Sequence, residues 1–391
     1  MRALVLIDGE HYAPVVRDAL AALPYDVAGA LLVGGTEKLR GGDDYGVPLV
    51  DALDAVEADL VVDLSDEPVL GPRERFLWAS RALALGLPYV GADFRFDPPQ
   101  LHPVETPSLA VIGLGKRIGK TAVAGHVARL VARHRRVAVV AMGRGGPAEP
   151  ELVETPPALD DLLALSRSGR HAASDHLEAA ALAGVPAIGC RRAGGGLGGA
   201  PFESNVLEGA VLARELDPEL LVFDGSGAAI PPVDADARIL VTNGGHDPRA
   251  GLNAYRVLVS DLVVDTGGAD REAIRSISDV PVVSAELRLR PVEALRGRRT
   301  AVFTTGAAPT DGLDAEVVHV SRNLARREPL REELERVDAE VYLVELKAAA
   351  VDVVAEAALA RGAKVVLAAN DVVSAELDEC VLALVPDRSR A

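Results

Sequence analysis

The chain has 391 residues, 49% of them apolar, with 37 Gly, 25 Pro, two Cys and a formal charge of −17. Single cores stop growing at about 250 residues, so this length calls for more than one domain, and so acidic a surface repels nucleic acid and anionic membranes. No apolar run reaches the ~20 residues that span a bilayer, and Cys190 and Cys380 form no CxxC pair, so nothing points to a zinc site or a disulfide framework.

The first hundred residues alternate strand and helix. Ala3-Leu4-Val5-Leu6-Ile7 reads as a buried strand rather than a signal-peptide core, because Asp8 and Glu10 end the apolar run early. A cytoplasmic location is therefore expected. Apolar periodicity then predicts a helix over 12–23, a strand over 28–33, a helix over 49–56, a strand over 59–64, a helix over 73–85 and a strand over 87–90. This is the pattern of a Rossmann-like α/β domain over 1–103, ending in the Pro-rich stretch 97–107 that serves as linker. Asp8, Glu10 and His11 stand at the carboxyl end of the first strand, where they could contact substrate or metal, or simply cap the next helix.

A second α/β domain, 104–290, opens with a strand over 109–112 and continues through Gly113-Leu114-Gly115-Lys116-Arg117-Ile118-Gly119-Lys120-Thr121 into a helix over 119–133. A glycine loop between a buried strand and a helix is the context of a phosphate loop for ATP. Gly113, Gly115 and Gly119 let backbone amides turn onto the phosphates, Lys120 reaches the β/γ oxygens and Thr121 offers its hydroxyl to Mg²⁺. In the strict G-x-x-x-x-G-K-[ST] frame the first glycine position is Leu114; the longer spacing from Gly113 is similar to that of dethiobiotin synthetase. Further strands are expected over 137–140, 185–189, 220–223, 239–242 and 262–264. Asp224 ends one of them and is the candidate second holder of Mg²⁺.

Arg144, within Gly143-Arg144-Gly145-Gly146, and the pair Arg191-Arg192 follow predicted strands at the sheet edge where ligands bind, although solvated arginines on loops are the plain alternative. Arg133-His134-Arg135-Arg136 reads as a helix end favoured by the dipole. Ser174-Asp175-His176-Leu177-Glu178 reads first as a capped helix start and second as a site histidine. A third α/β segment, 291–391, holds strands over 300–303, 341–344 and 365–367 and a helix over 348–360. Lys347 follows its second strand, in a chain with five lysines, two of which lie in the phosphate loop.

With these stretches on the page, the chain resembles the cyclic 2,3-diphosphoglycerate synthetase family. The resemblance runs through Ile7-Asp8-Gly9-Glu10-His11-Tyr12, the segments 34–39, 63–70 and 93–96, the phosphate loop and 142–147. It continues through 174–178, Ile188-Gly189-Cys190-Arg191-Arg192, 201–206, Gly225-Ser226-Gly227-Ala228-Ala229-Ile230-Pro231-Pro232-Val233 and 344–352. It implies ATP-dependent closure of an intramolecular phosphoanhydride in a small bisphosphate, with release of ADP and phosphate. Lys116, Arg117, Lys120 and Arg144 are then the catalytic cations, with Arg144, Arg191, Arg192, Asp8, Glu10 and His11 on the substrate. A homodimer is plausible for such a fold. The alternatives are a kinase acting on 2-phosphoglycerate, another phosphate-loop ligase and, less favoured, a nucleotide-driven switch. The Pro-broken chain end offers no amphipathic membrane tail of the kind such switches carry.

Overall fold

Three mostly parallel sheets carry the chain in the computed structural model, whose described residues are 1–34, 44–306 and 309–386. Lys38, the rest of the segment 35–39 and the chain end 387–391 lie outside them.

The first sheet contains β1 (Arg2–Ile7), β2 (Asp26–Leu32), β3 (Leu49–Val50), β4 (Leu60–Asp63), β5 (Tyr89–Val90) and β6 (Arg95–Phe96) in the order β3-β2-β1-β4-β5-β6. Helices α1 (Ala13–Ala22) and α2 (Pro72–Ala84) cross between strands, each with proline in its first turn, where a missing N–H costs nothing. Strand β1 lies between two parallel neighbours and is buried from Ala3 onward, which is why it reads as a continuous apolar run. The helix expected over 49–56 is not formed. Leu49 and Val50 instead pair with Ala30 and Leu31 on the free edge of β2, and turns follow. Eight residues nucleate a helix poorly, whereas the sheet edge supplies hydrogen bonds at once. Within the Pro-rich stretch, β7 (His102–Pro103) pairs with β14 (Val233–Asp234) in a small two-stranded sheet of its own, so the linker is fastened to the central domain.

The central sheet begins with β8 (Ser108–Gly113), every residue of it buried, and α3 (Lys120–Ala132). Then come β9 (Val137–Gly143), β10 (Glu151–Val153), α4 (Leu159–Arg167), α5 (Asp175–Ala183), β11 (Ala187–Ala193), β12 (Glu203–Ser204), α6 (Val206–Ala213) and β13 (Leu220–Asp224). After β14 it closes with β15 (Ala237–Thr242), α7 (Asn253–Leu258), β16 (Leu262–Asp265), α8 (Arg271–Arg275) and β17 (Val282–Ser284). Its order, β10-β11-β9-β13-β8-β15-β16-β17, puts β8 between β13 and β15 and gathers the carboxyl ends of β8, β9, β13 and β11 at one edge. Strand β11 is longer than expected and takes in Arg191 and Arg192.

The third sheet, in the order β18-β22-β21-β19-β20, uses β18 (Glu286–Pro291), β19 (Arg299–Phe303), β20 (Glu316–Ser321), β21 (Val341–Glu345) and β22 (Lys364–Val373), with α9 (Arg327–Leu334), α10 (Glu356–Ala360) and α11 (Leu377–Leu384). Residues 350–355, ahead of α10, wind in a wide π-type turn. This third unit folds back on α3. Leu377 and Val381 of α11 share a core with α3, and His126 Nε2 lies 2.7 Å from Asp378 Oδ1. Among the described residues no helix is long and apolar enough to cross a membrane.

Candidate active site

The carboxyl edge of the central sheet and the third sheet face each other across a cleft of ≈ 500 Å³, floored by residues 115–122 of the glycine loop. Gly119 has φ +81° where α3 begins, the left-handed conformation that glycine adopts without strain. Ile118 is buried in the core beneath the loop, and its carbonyl accepts a hydrogen bond from Thr266 Oγ1 at 2.9 Å. Lys120 Nζ lies 3.1 Å from Oδ1 of Asp224, at the end of the neighbouring β13, with only 2% of that carboxylate side chain exposed. Burial raises the Asp224 pKa and Lys120 pulls it back. Thr121 lines the cleft beside Lys120. A hydroxyl and a carboxylate, both hard oxygen donors, suit Mg²⁺.

Three cations of the cleft, Lys116, Arg117 and Arg144, make no ion pair or hydrogen bond to any described residue. Arg144 and Lys116 converge with Arg192 on Gly227, in the turn after β13. A Cβ built there would lie 2.9 Å from Arg144 Nη2, 3.7 Å from Arg192 Nη2 and 3.7 Å from Lys116 Cγ. The same turn touches the start of the glycine loop, because a Cβ on Gly113 would lie 3.4 Å from the Gly227 carbonyl and 3.5 Å from Lys120 Cδ. Burial, and after it the like charge of Arg144, lowers the Arg192 pKa. Unpaired cations crowded together in so acidic a chain form a binding place for crowded anions. The turn is held from behind by Arg256, 2% exposed, which donates to the carbonyls of Ala228 at 2.8 Å, Leu197 at 3.1 Å and Leu252 at 3.2 Å. Burial pulls its pKa down to about 10, which leaves it charged at neutral pH.

Arg191 does not join this group. Successive residues of a strand point to opposite faces, so with Arg192 buried toward Ser226, whose carbonyl accepts from Nη2 at 2.9 Å, Arg191 turns outward to Glu203 at 3.8 Å. The expectation that both follow the strand, free to reach one ligand, is corrected by their place inside it. Asp8, Glu10 and His11 also stand away from the residues that line the cleft. Asp8 accepts from the amides of Glu10 and Asp66, each at 2.9 Å, and lies 3.0 Å from His11 Nδ1. Burial works against its charge, but the Asp66 amide, His11 and the Glu10 amide together hold its pKa below the usual carboxylate range. Asp8, His11 and Asp66 present ligand atoms within 4.8 Å of one another, a grouping in which Asp8 is already bound to backbone. Arg135 and Arg136, past the end of α3, bond to Pro386, Asp217 and Glu219, outside the cleft.

The opposite wall holds groups that the sequence marked faintly or not at all. Glu345 ends β21, accepting from the Thr305 amide at 2.7 Å and from Asn370 Nδ2 at 2.8 Å. Lys347, two residues on, reaches across to Glu178 of α5, Nζ to Oε2 2.9 Å. Asp175, Glu178, Ala179, Leu182 and Ala183 form one cleft-facing stripe of α5 at helical spacing. The His176 ring packs on Gly189 of β11, where burial lowers its pKa and keeps it neutral. The scarcity of lysine was the usable signal for Lys347; Thr305 and Asn370, the partners of Glu345, had none. Cys190 is buried against α6, its thiol pKa raised by burial to about 12, and no disulfide forms with Cys380.

Comparison with known proteins follows the three sheets. Residues 2–97, 108–282 and 291–371 match the family profiles of the N-terminal, P-loop and C-terminal domains of cyclic 2,3-diphosphoglycerate synthetase. The cyclic 2,3-diphosphoglycerate synthetase of Rubrobacter xylanophilus is 48% identical over 98% of this chain and 97% of its own. That of Thermococcus kodakarensis is 42% identical over 95% of this chain and 94% of its own. Among solved structures, LpxK from Aquifex aeolicus in complex with ATP aligns with 73% of this chain and 91% of its own, at TM-score 0.44 and 16% identity.

Proposed function

The chain belongs to the cyclic 2,3-diphosphoglycerate synthetase family, and on that premise we propose how its cleft closes the phosphoanhydride of 2,3-diphosphoglycerate at the expense of ATP. The observation that carries the reading is the convergence of Arg144, Arg192 and Lys116 on Gly227 beside the phosphate loop. Two unit charges 4 Å apart repel by about 4 kcal/mol at an effective dielectric near 20, so neither substrate phosphate attacks the other until that charge is cancelled.

In this reading the amides of Gly113, Gly115 and Gly119 and the Lys120 ammonium hold the triphosphate. Thr121 and Asp224 are the residues that would hold Mg²⁺, which would supply charge compensation for the triphosphate. Arg117 and Arg144 face the γ-phosphoryl group, and Arg192 and Lys116 the bisphosphate. An oxygen of one substrate phosphate attacks the γ-phosphorus, and the bond to ADP breaks. An oxygen of the second substrate phosphate then attacks the phosphorus of the first, the terminal phosphate departs and the ring is closed. The cations stabilise the charge in flight at both steps. The reading places the enzyme in the cytoplasm as a homodimer of three-domain chains divided near residues 103 and 290, which analytical ultracentrifugation and limited proteolysis test.

ADP release that depends on 2,3-diphosphoglycerate, together with a ring anhydride in the phosphorus NMR spectrum of the product, is the expected result. A monoester product formed from 2-phosphoglycerate would replace this reading with a kinase. The strand alternation gives a sharper expectation for the adjacent arginines. Losing a charge-assisted hydrogen bond costs about 1.5–3 kcal/mol, so Arg192→Ala raises the bisphosphate KM about 10–100-fold. Arg191→Ala, by contrast, leaves it within about threefold because among the described residues that side chain pairs with exposed Glu203 alone. Equal effects of the two would remove Arg192 from the substrate.

A further inference from the structure

The carboxylates of the cleft differ in how they are held. Asp224 is paired with Lys120, and Glu345 has both oxygens bonded, one to Thr305 and one to Asn370. Asp175, half-buried at the start of α5, makes no hydrogen bond to a described residue. Glu178 stands one turn deeper, its side chain 8% exposed, with one oxygen on Lys347 and the other without a hydrogen bond to any described residue. It is thus oriented by a single cation against the apolar stripe of α5, with one oxygen left to act.

The reaction has a use for such a group. When the second substrate phosphate closes the ring, the bond from the activated phosphorus to the terminal phosphate breaks and its electron pair stays on the departing oxygen. The trianion so formed is too basic to leave bare at neutral pH. Building on the function proposed above, we infer that Glu178, held in place by Lys347, delivers a proton to the departing phosphate.

The proton passes from the free carboxyl oxygen to the bridging oxygen as that bond breaks, the product leaves as hydrogen phosphate, and Glu178 remains as a carboxylate on Lys347. The next bisphosphate returns the proton. Burial raises the Glu178 pKa to about 7 against the opposing pull of Lys347, and the second ionisation of a phosphate monoester lies near 6. A monoprotonated substrate therefore reprotonates Glu178, and no outside acid is needed. The charged and titratable groups lining the cleft around it are Asp175 and His176 on its own helix, Arg129 on α3, His171 ahead of α5, and Glu345 and Lys347 from the third unit. Asp175 and Glu345 favour the proton and Lys347 opposes it.

Glu178→Gln keeps a hydrogen-bonding partner for Lys347 but has no proton to give. It is expected to lower kcat about 100-fold with both KM values within about threefold. Rapid-quench analysis is expected to show a burst of one ADP per site with phosphate release lagging behind it, because the first transfer needs no acid. Wild-type kcat falls as pH rises through about 7, and this limb is lost in Glu178→Gln. Glu178→Asp, which withdraws the carboxyl by one methylene, recovers part of the rate and the limb. Wild-type kcat in Glu178→Gln, equal loss of the ADP burst and of phosphate release, or a wild-type profile flat from about pH 6 to about pH 9 would overturn the inference while leaving the synthetase reading intact. Absence of bisphosphate-dependent ADP release by the wild-type chain would overturn both.

Discussion

Replacing Arg144 with alanine is expected to lower kcat about 10³-fold while the ATP dissociation constant moves less than about threefold, since a cation that meets transferring phosphoryl charge is worth 10³–10⁵ in turnover. The side chain is set up for that role. It stands just beyond β9 in a glycine turn packed so closely on β11 that a Cβ on Gly146 would fall 2.0 Å from the Cys190 carbonyl, so the backbone beneath the guanidinium has little freedom. It makes no bond to any described residue and points at Gly227 together with Arg192 and Lys116. In the proposed reading Lys120 and the loop amides hold ATP without it, which is why binding should survive. Arg144→Lys restores charge but not the planar fork, so it should recover only part of the loss. Steady-state ADP release gives kcat and titration calorimetry gives ATP affinity. Unchanged turnover would remove Arg144 from the reacting groups.

What the sequence made legible was what lies together in sequence. The phosphate loop, its strand and its helix are contiguous, so glycine spacing and the Lys120-Thr121 ending were enough to place them. Asp224 needed one further step, an apolar strand ending in a carboxylate, and the sheet order then put it against Lys120. The Glu178–Lys347 pair spans 169 positions and depends on the third unit folding back on α3, which no local pattern records. Arg191 and Arg192 looked equivalent because the end of β11 was drawn short; their place inside the strand decides which of them turns inward to Ser226 and Gly227. The segment 49–56 carries helical spacing at Leu49, Leu53 and Val56, but the open edge of β2 took its first residues, a tertiary choice over a weak local one.

Lys120→Met should abolish useful turnover, by about 10³-fold on the scale of losing a preorganised donor at a transferring phosphoryl group, and it should also destabilise the fold in a way that depends on pH. The methionine leaves the Asp224 carboxylate buried without its cation, and breaking a buried pair from one side costs about 3–5 kcal/mol. Asp224 can escape that cost by taking a proton. Burial already raises its pKa, and Lys120 is the main force holding it down, so removing Lys120 sends it further up. A carboxyl whose folded pKa lies above its unfolded value favours folding when protonated, and that contribution is lost as pH rises through the folded pKa. The variant should therefore lie closest to wild type in mild acid and furthest from it at alkaline pH, read as urea midpoints at about pH 5 and about pH 8. Lys120→Met combined with Asp224→Asn removes the stranded charge and should regain most of the stability, with turnover still lost. A deficit equal at both pH values would mean that the carboxylate does not depend on Lys120. If the pH dependence is found, the Asp224 carboxylate owes its charged state in the folded chain to Lys120.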